Sequence, residues 1–572
     1  MLIKITADQL PGEAQEAKIT RIYPQVGEEI QAGESLVDME ANKQRMTLSS
    51  PAAGIVEELY VDTGQIIKKG QLLLTVQGEK MEVQTTSQTG FNYFGSMLKT
   101  EKEKTTLQTD LCIIGAGPGG YVAAIRAAQM GSRVILIEKD ELGGTCLNWG
   151  CIPTKCLVRS AEVYKTLQSA ADYGCSAEKI NFSMPAVMAR KDAVVKQLRQ
   201  GIEILLHANK IQVLKGSARL LDARTVQVQG QQQERSIKAD HLIIATGSRI
   251  VDPRIPGIQL KQVINSDMAL QMTSLPRKMV IVGGGVIGME FAFIYAGFGV
   301  EVSVVEYAEE ILMNCDQDIC REIHRIAEQK GIKIYSEARV DAILSTEGQE
   351  CIVVFNQAEE SKFLAADRVL MAVGRQPVTE GLGLEEIGVQ LNEDRRGIQV
   401  NERMQTSIPN IYAIGDVTNQ VLLAHVASAQ GIVAVENIMG QERSMNYHAI
   451  PSTIFTDPEI GIVGLSEAMA VEQGYEIAVG TFPIEANGKA LCQGESQGFI
   501  KIISEKRSGR ILGAAIIGSH ASDLIAELTL AVNKQLNTQD IIDTIHAHPT
   551  TAEIIHEAAL AARGQPLHFI PR

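Results

Sequence analysis

At 572 residues the chain has room for several domains and a large core, and its nine cysteines, scattered from Cys112 to Cys492, do not form the dense framework of a small secreted domain. A net charge of −15 without a basic stripe argues against nucleic-acid binding. No basic leader with a long apolar run, and no bilayer-length apolar segment, is present. A soluble cytoplasmic protein with neither nucleic acid nor membrane as partner is therefore expected.

Residues 1–78 repeat on themselves: VGEEIQAGESL (Val26 to Leu36) returns as TGQIIKKGQLL (Thr63 to Leu73), an offset of 37 residues. Short β-rich pieces punctuated by glycine predict two similar half-sheets packed as a small sandwich. EANKQ then falls where a hairpin turn would present Lys43 to solvent, with Pro51 and Gly54 downstream. This pattern resembles the lipoyl and biotinyl carrier domains, in which a lysine at the hairpin tip carries the prosthetic arm. Asn42-Lys43-Gln44 matches neither the Asp-Lys-Ala usual for lipoyl turns nor the Met-Lys-Met usual for biotinyl turns. Lipoyl on Lys43 is the preferred reading, with an unmodified surface lysine as its alternative. Residues 79–108, polar around FNYFGSMLK, read as a linker, in which Phe91, Tyr93, Phe94, Met97 and Leu98 form a short helix or dock on a neighbour.

From Asp110 an apolar strand runs into Gly115, Gly117 and Gly120, continues as a helix, and a second strand ends on Glu138. The glycines allow a tight turn and close approach of a pyrophosphate to the helix start, and the carboxylate accepts ribose hydroxyls. GGTCLNWGCIPTK follows directly, setting Cys146 and Cys151 in a glycine-rich turn where a helix begins, which favours a thiolate. A second fingerprint carries Gly283, Gly285 and Gly288 and ends its second strand on Glu306. Two dinucleotides should bind, and Glu306 without a following arginine cluster favours NAD over NADP.

From Asp110 onward the chain resembles the flavoprotein disulfide reductases, the class I pyridine nucleotide-disulfide oxidoreductases. The likeness includes the ATG turn at Ala245 to Gly247, AVGRQP with Gly374 and Arg375, NIYAIGDV with Asp416, LLAHVA with Ala424, and HAHPTTAE with His548 and Glu553. It implies an α/β fold: two Rossmann-like dinucleotide-binding domains and an α+β dimerisation domain, preceded by the small all-β lipoyl-like sandwich. Expected boundaries are 109–250 for FAD binding, 251–378 for NAD binding, 379–446 for a central part completing the FAD site, and 447–572 for the interface domain.

The resemblance further implies a redox-active disulfide between Cys146 and Cys151, Asp416 on the flavin ribityl chain, and Ala424 beside the isoalloxazine. It pairs Lys155 with Glu290 near the flavin, lines the NAD site with Val340 and Gly374, and sets Ala218 near FAD. It makes His548, oriented by Glu553, the acid/base that reaches the disulfide of the partner subunit in a homodimer. An imidazole, with a free pKa near ~6.5, suits proton exchange with thiols. His546 competes for that role, but the family motif selects the histidine before Pro549. Trp149 is read as packing, with shaping of substrate access as the alternative, and Cys156 as buried on a helix, with a regulatory thiol as the alternative.

No metal site is expected. No cysteine precedes Cys112 and the tail QPLHFIPR has none, unlike family members that handle metal ions. The resemblance implies oxidation of dihydrolipoamide on a carrier domain by NAD+ through the disulfide and FAD, within a multienzyme complex acting on 2-oxoacids, acetoin or glycine. The alternatives are an NADH-dependent reductase of another disulfide or acceptor, and a lipoyl carrier or assembly subunit.

Overall fold

The computed structural model describes residues 2–7, 14, 16–30, 34–41, 44–50, 53–77, 106–230 and 234–570. The chain divides into two compact units, Met1–Glu101 and Lys102–Arg572. Lys43 and residues 79–105 of the expected linker, with its aromatic group, lie outside the described residues, whereas residues 106–108, also expected in the linker, open the strand Thr106–Ile114.

In the first unit the repeat folds as a pseudo-symmetric sandwich of two four-stranded sheets. One sheet orders Leu2–Thr6, Leu72–Gln77, Gly54–Leu59 and Glu29–Ile30; the other orders Gln44–Ser49, Ser35–Ala41, Glu16–Ile22 and Ile66–Lys68. The repeat extends to individual hydrogen bonds. Gly27 N–H donates to the Val56 carbonyl at 2.7 Å, and Gly64 N–H donates to the Ile19 carbonyl at 2.8 Å. Both glycines have positive φ, 87° and 95°, which a Cβ would strain. The fully buried core uses residues at equivalent positions of the two repeats, Ile19 with Val56, Leu36 with Leu73 and Val37 with Leu74. Ala41 pairs with Gln44 at the end of the antiparallel ladder between Ser35–Ala41 and Gln44–Ser49.

The second unit begins with a sheet whose parallel part orders Gln212–Lys215, Val134–Glu138, Thr106–Ile114 and Glu234–Ile244, joined by Ile411–Ala413 from far along the chain. The strand Val134–Glu138 is buried throughout, as expected for a parallel strand covered on both faces. A five-stranded parallel sheet follows, in the order Val263–Asn265, Arg368–Met371, Lys278–Val282, Glu301–Val305 and Lys333–Tyr335. The helix Val286–Gly297 on this sheet is apolar nearly all round, with Phe291, Ala292, Ile294 and Tyr295 buried.

The C-terminal part is an antiparallel sheet, Ser452–Ile454, Ile460–Gly464, Ile511–Ile517, Phe499–Glu505 and Ile477–Pro483, against which the helices Ala521–Asn533 and Glu553–Ala562 pack. Lys501 on this sheet is 1% exposed, and its ammonium lies 2.6 Å from Asp316, 2.7 Å from Asp318 and 2.8 Å from Glu467. Burial works to lower its pKa, but the three carboxylates hold it above the ordinary lysine value. The ammonium thereby joins the C-terminal sheet to the start of the helix Gln317–Gln329 of the preceding α/β layer. No helix among the described residues is long and apolar enough to cross a membrane.

Candidate active site

The two glycine fingerprints build the same local device. Gly115 has φ +104°, and a Cβ there would fall on the Ala245 carbonyl; Gly283 has φ +109°, and its Cβ would fall on the Ala372 carbonyl. The alanines open the ATG and AVG turns, and each bonds back to its fingerprint strand: Ala245 N–H to the Ile114 carbonyl and Ala372 N–H to the Val282 carbonyl, both 2.8 Å. Those two sequence motifs are thus the walls behind the two glycine loops. Gly120 and Gly288 press against the carbonyls of Gly115 and Gly283, closing each loop onto its helix.

Glu138 accepts Ala116 N–H at 2.7 Å and Asp140 N–H at 2.8 Å. Glu306 repeats this, accepting from Gly284 N–H and, at 2.7 Å, from Ala308 N–H. Both carboxylates are held at the strand ends with lone pairs to spare for ribose hydroxyls. Tyr307, Ala308, Glu309 and Glu310 follow Glu306, so nothing cationic in that run would meet a 2′-phosphate.

A cavity of about 1270 Å³ opens from the first fingerprint. It exceeds the roughly 300–1,000 Å³ of most small-molecule sites, as an extended dinucleotide requires. Gly115, Gly117, Glu138, Cys146, Cys151, Lys155, Ala218, Glu290, Asp416 and Ala424 all line it. The cradle, the ribose carboxylate and the size fit FAD. Gly283, Gly285, Gly288, Glu306, Val340 and Gly374 are not in this lining, although Val286, Ile287, Glu290 and Phe291 of the adjoining helix are. Val340 pairs with Phe355 in the hairpin after the second fingerprint, and Gly374 has φ +112°.

Cys146 and Cys151 form a disulfide with Cα atoms 4.7 Å apart. Cys146 lies in the short helix Gly144–Trp149 and Cys151 opens the eighteen-residue helix Cys151–Gln168, at whose positive end a thiolate is stabilised. Asn148 ties this turn down, its amide donating to the carbonyls of Leu142 and Gly144 at 2.9 Å while its oxygen accepts from Arg199 at 2.8 Å. Burial pushes the thiols of Cys112 and Cys315 up to about 12 and that of Cys320 up to about 11, so these cysteines are inert. Cys156 is buried on the helix, as expected. Trp149 is partly buried and lines the cavity beside the disulfide.

One helical turn on from Cys151, the Lys155 ammonium is 2.9 and 3.0 Å from the two oxygens of buried Glu290. Two contacts that no sequence motif announced complete this pair. The ammonium sits 4.1 Å from the Phe455 ring centroid, and Phe455 N–H donates to Glu290 at 3.1 Å. A second unannounced network surrounds Asp416: Ser248 Oγ donates to it at 2.5 Å, and Arg375 donates to Ser248 Oγ and to the Ser248 carbonyl, both at 2.8 Å. Burial lowers the Arg375 pKa against the pull of Asp416 and Asp267, and burial raises that of Asp267.

His548 and Glu553 come together away from this cavity. His548 Nδ1 is 2.9 Å from Glu553, whose other oxygen accepts Thr550 N–H at 2.9 Å. Despite the desolvation that acts to raise it, the Glu553 pKa is lowered by that N–H and by His548. The His548 side chain is 79% exposed, whereas His546 is nearly buried and held by Glu527 at 3.0 Å. The exposed imidazole is the one available to a second chain.

The pyridine nucleotide-disulphide oxidoreductase family matches residues 109–431, and its dimerisation domain matches residues 450–559. The chain belongs to that family. The carrier family described as biotin-requiring enzyme matches residues 9–76. The chain is 45% identical over 469 residues to a dihydrolipoyl dehydrogenase of Chlamydia pneumoniae, covering 82% of this chain and 100% of that one. It is 41% identical over 468 residues to a dihydrolipoyl dehydrogenase of Geobacillus stearothermophilus, covering 82% and 98%. Among solved structures it resembles the HOCl-induced flavoprotein disulfide reductase RclA of Escherichia coli in its Cu(II) complex, with a TM-score of 0.72 and 31% identity over 79% of this chain and 99% of that one. Membership makes this chain a flavoprotein oxidoreductase with FAD and NAD as cofactors, preceded by a lipoyl-type domain and ending in a dimerisation domain.

Proposed function

We propose that the chain oxidises protein-bound dihydrolipoamide with NAD+, as a dihydrolipoyl dehydrogenase. The observation that carries this reading is the Cys146–Cys151 disulfide in the wall of the dinucleotide cavity, in a chain whose relatives of that activity align over 82% of its length. His548 of one subunit takes a proton from one thiol of the substrate, and the thiolate attacks Cys146 of the partner subunit. The Cys146–Cys151 bond breaks and Cys151 leaves as a thiolate at the helix start, where the dipole stabilises it. The second substrate thiol, deprotonated in turn, attacks the mixed disulfide, closes the lipoyl ring and leaves both cysteines reduced. FAD supplies the relay that carries the electron pair of the dithiol to NAD+ as a hydride, re-forming the disulfide.

Gly115, Gly117, Gly120, Glu138 and Ala218 would hold the adenosine and pyrophosphate end of FAD, and Asp416, Ala424 and the Lys155–Glu290 pair its flavin end. Gly283, Gly285, Gly288, Glu306, Val340 and Gly374 would hold NAD. Glu553 keeps the imidazole pointing outward through Nδ1, leaving Nε2 for the thiol. Domain boundaries at 250, 378 and 446 divide these duties, with 109–250 and 379–446 sharing the FAD site. Lys43 carries a lipoyl group, and the homodimer serves a multienzyme complex in the cytoplasm.

The test is NAD+ reduction by the FAD-loaded protein with free dihydrolipoamide, beside a Cys151→Ser variant and an NADPH plus glutathione disulfide control. NADH formation that the variant loses supports the reading. Absence of turnover with dihydrolipoamide in protein that retains FAD refutes it and favours reduction of another disulfide or acceptor, the activity class of the Escherichia coli structural relative.

A further inference from the structure

Within its own subunit His548 stands on a short loop with most of its side chain unpacked, so hydrogen bonds inside that subunit must set where the imidazole points. Thr550 is the hub of that loop. Its N–H donates to Glu553 at 2.9 Å, its hydroxyl donates to the Ala547 carbonyl at 2.7 Å, and its carbonyl accepts the Asn487 side-chain amide at 3.1 Å. The first two bonds lie within the loop and its following helix, so they fix its shape. The third bond is to a separate element and fixes the loop's position.

Asn487 is rooted in the C-terminal core. It is 5% exposed, its N–H donates to the carbonyl of fully buried Ile484 at 2.9 Å, and its side-chain oxygen caps the helix Gly488–Gln493 by accepting Ala490 N–H at 2.9 Å. Ile484 in turn donates to the Gly498 carbonyl at 3.0 Å, at the edge of the strand Phe499–Glu505. One amide therefore does two separable things: its oxygen caps a helix, and its nitrogen moors the histidine loop.

We propose that Asn487 is a positioning residue for His548, acting through the Thr550 carbonyl. The proposal rests on the reading of His548 as the acid/base. A proton acceptor that must meet a thiol across a subunit boundary has little packing from its own subunit to correct an error, and displacement of about 1 Å can cost ~10²-fold in rate.

Asn487→Ser and Asn487→Asp separate the two duties, because both supply an oxygen cap of about the quality of asparagine and neither presents the N–H. The full-length, FAD-loaded dimers of both variants are assayed beside His548→Gln in two reactions. One is dihydrolipoamide oxidation by NAD+, which needs His548; the other is NADH oxidation by ferricyanide, which bypasses it. The expected result is a roughly 10–100-fold lower kcat in the first reaction at unchanged KM for NAD+, with the ferricyanide rate within about twofold of the parent. Unchanged dihydrolipoamide turnover in both Asn487 variants, with His548→Gln inactive, overturns the inference and leaves the acid/base reading standing. Retained turnover in His548→Gln overturns that reading itself. Loss of both reactions together, or of bound FAD, identifies Asn487 as a folding residue and also overturns the inference.

Discussion

Lys501→Met removes the ammonium that Asp316, Asp318 and Glu467 share while keeping the length of the side chain. The oxygens of the three carboxylates lie within 4.8 Å of one another. Two unit charges at that separation repel by about 3.5 kcal/mol at an effective dielectric constant of about 20. Asp318 and Glu467, with side chains 36% and 42% exposed, turn toward water and relieve part of this, whereas Asp316, at 10%, cannot. The remaining loss is about 3–5 kcal/mol, the usual result of stripping one partner from a buried ion pair. Thermal unfolding of the FAD-loaded protein at pH 8, without and with millimolar Ca2+, checks this, since calcium should occupy the three oxygens and restore part of the loss. A variant that melts with the parent refutes the reasoning.

Gly288→Ala drives a Cβ into the Gly283 carbonyl and should raise KM for NAD+ at least tenfold with FAD content unchanged, whereas Gly120→Ala should instead yield protein without FAD; absorbance at the flavin band and steady-state kinetics separate the two. Phe455→Leu removes the ring beneath the Lys155 ammonium and should shift the flavin midpoint potential measurably, while Phe455→Tyr should not; spectroelectrochemical titration reads this directly. His568 pairs with buried Glu557 at 2.7 Å, and that hydrogen bond raises its pKa, so the tether of the C-terminal tail is complete below pH ~6.5 and weakens as pH rises through the shifted value. Amide exchange at residues 567–570 should therefore quicken above neutrality once the intrinsic pH dependence is removed, and His568→Gln should abolish the change. Lys43→Arg should remove any lipoyl mass from the N-terminal unit isolated from its native host and leave turnover of free dihydrolipoamide intact.

Most of the α/β architecture was legible because its signals are local. A glycine triplet between a strand and a helix, a carboxylate ending the second strand, and a 37-residue echo each sit within a few dozen residues and need no partner to be read. The Lys155–Glu290 pair, 135 residues apart, came only from family resemblance. What escaped was side-chain chemistry joining elements that are remote in sequence. Phe455 beneath Lys155, Arg375 on Ser248 behind Asp416, and Asn487 under the histidine loop belong to no periodic pattern, and each residue type is ordinary where it stands.

The matched pair of carboxylates, Glu138 and Glu306, bears on how long each nucleotide stays. Both are gripped by two backbone amides before any ribose arrives, so the two sites begin with equally prepared acceptors and much the same ordering cost. Their surroundings differ. The first fingerprint packs against a segment about three hundred residues downstream, where Ala427 sits so close to Gly119 that a Cβ would touch its carbonyl at 2.9 Å; the glycines of the second do not line the cavity. With the carboxylate grip alike at the two sites, a difference in how long the two nucleotides stay has to come from these surroundings.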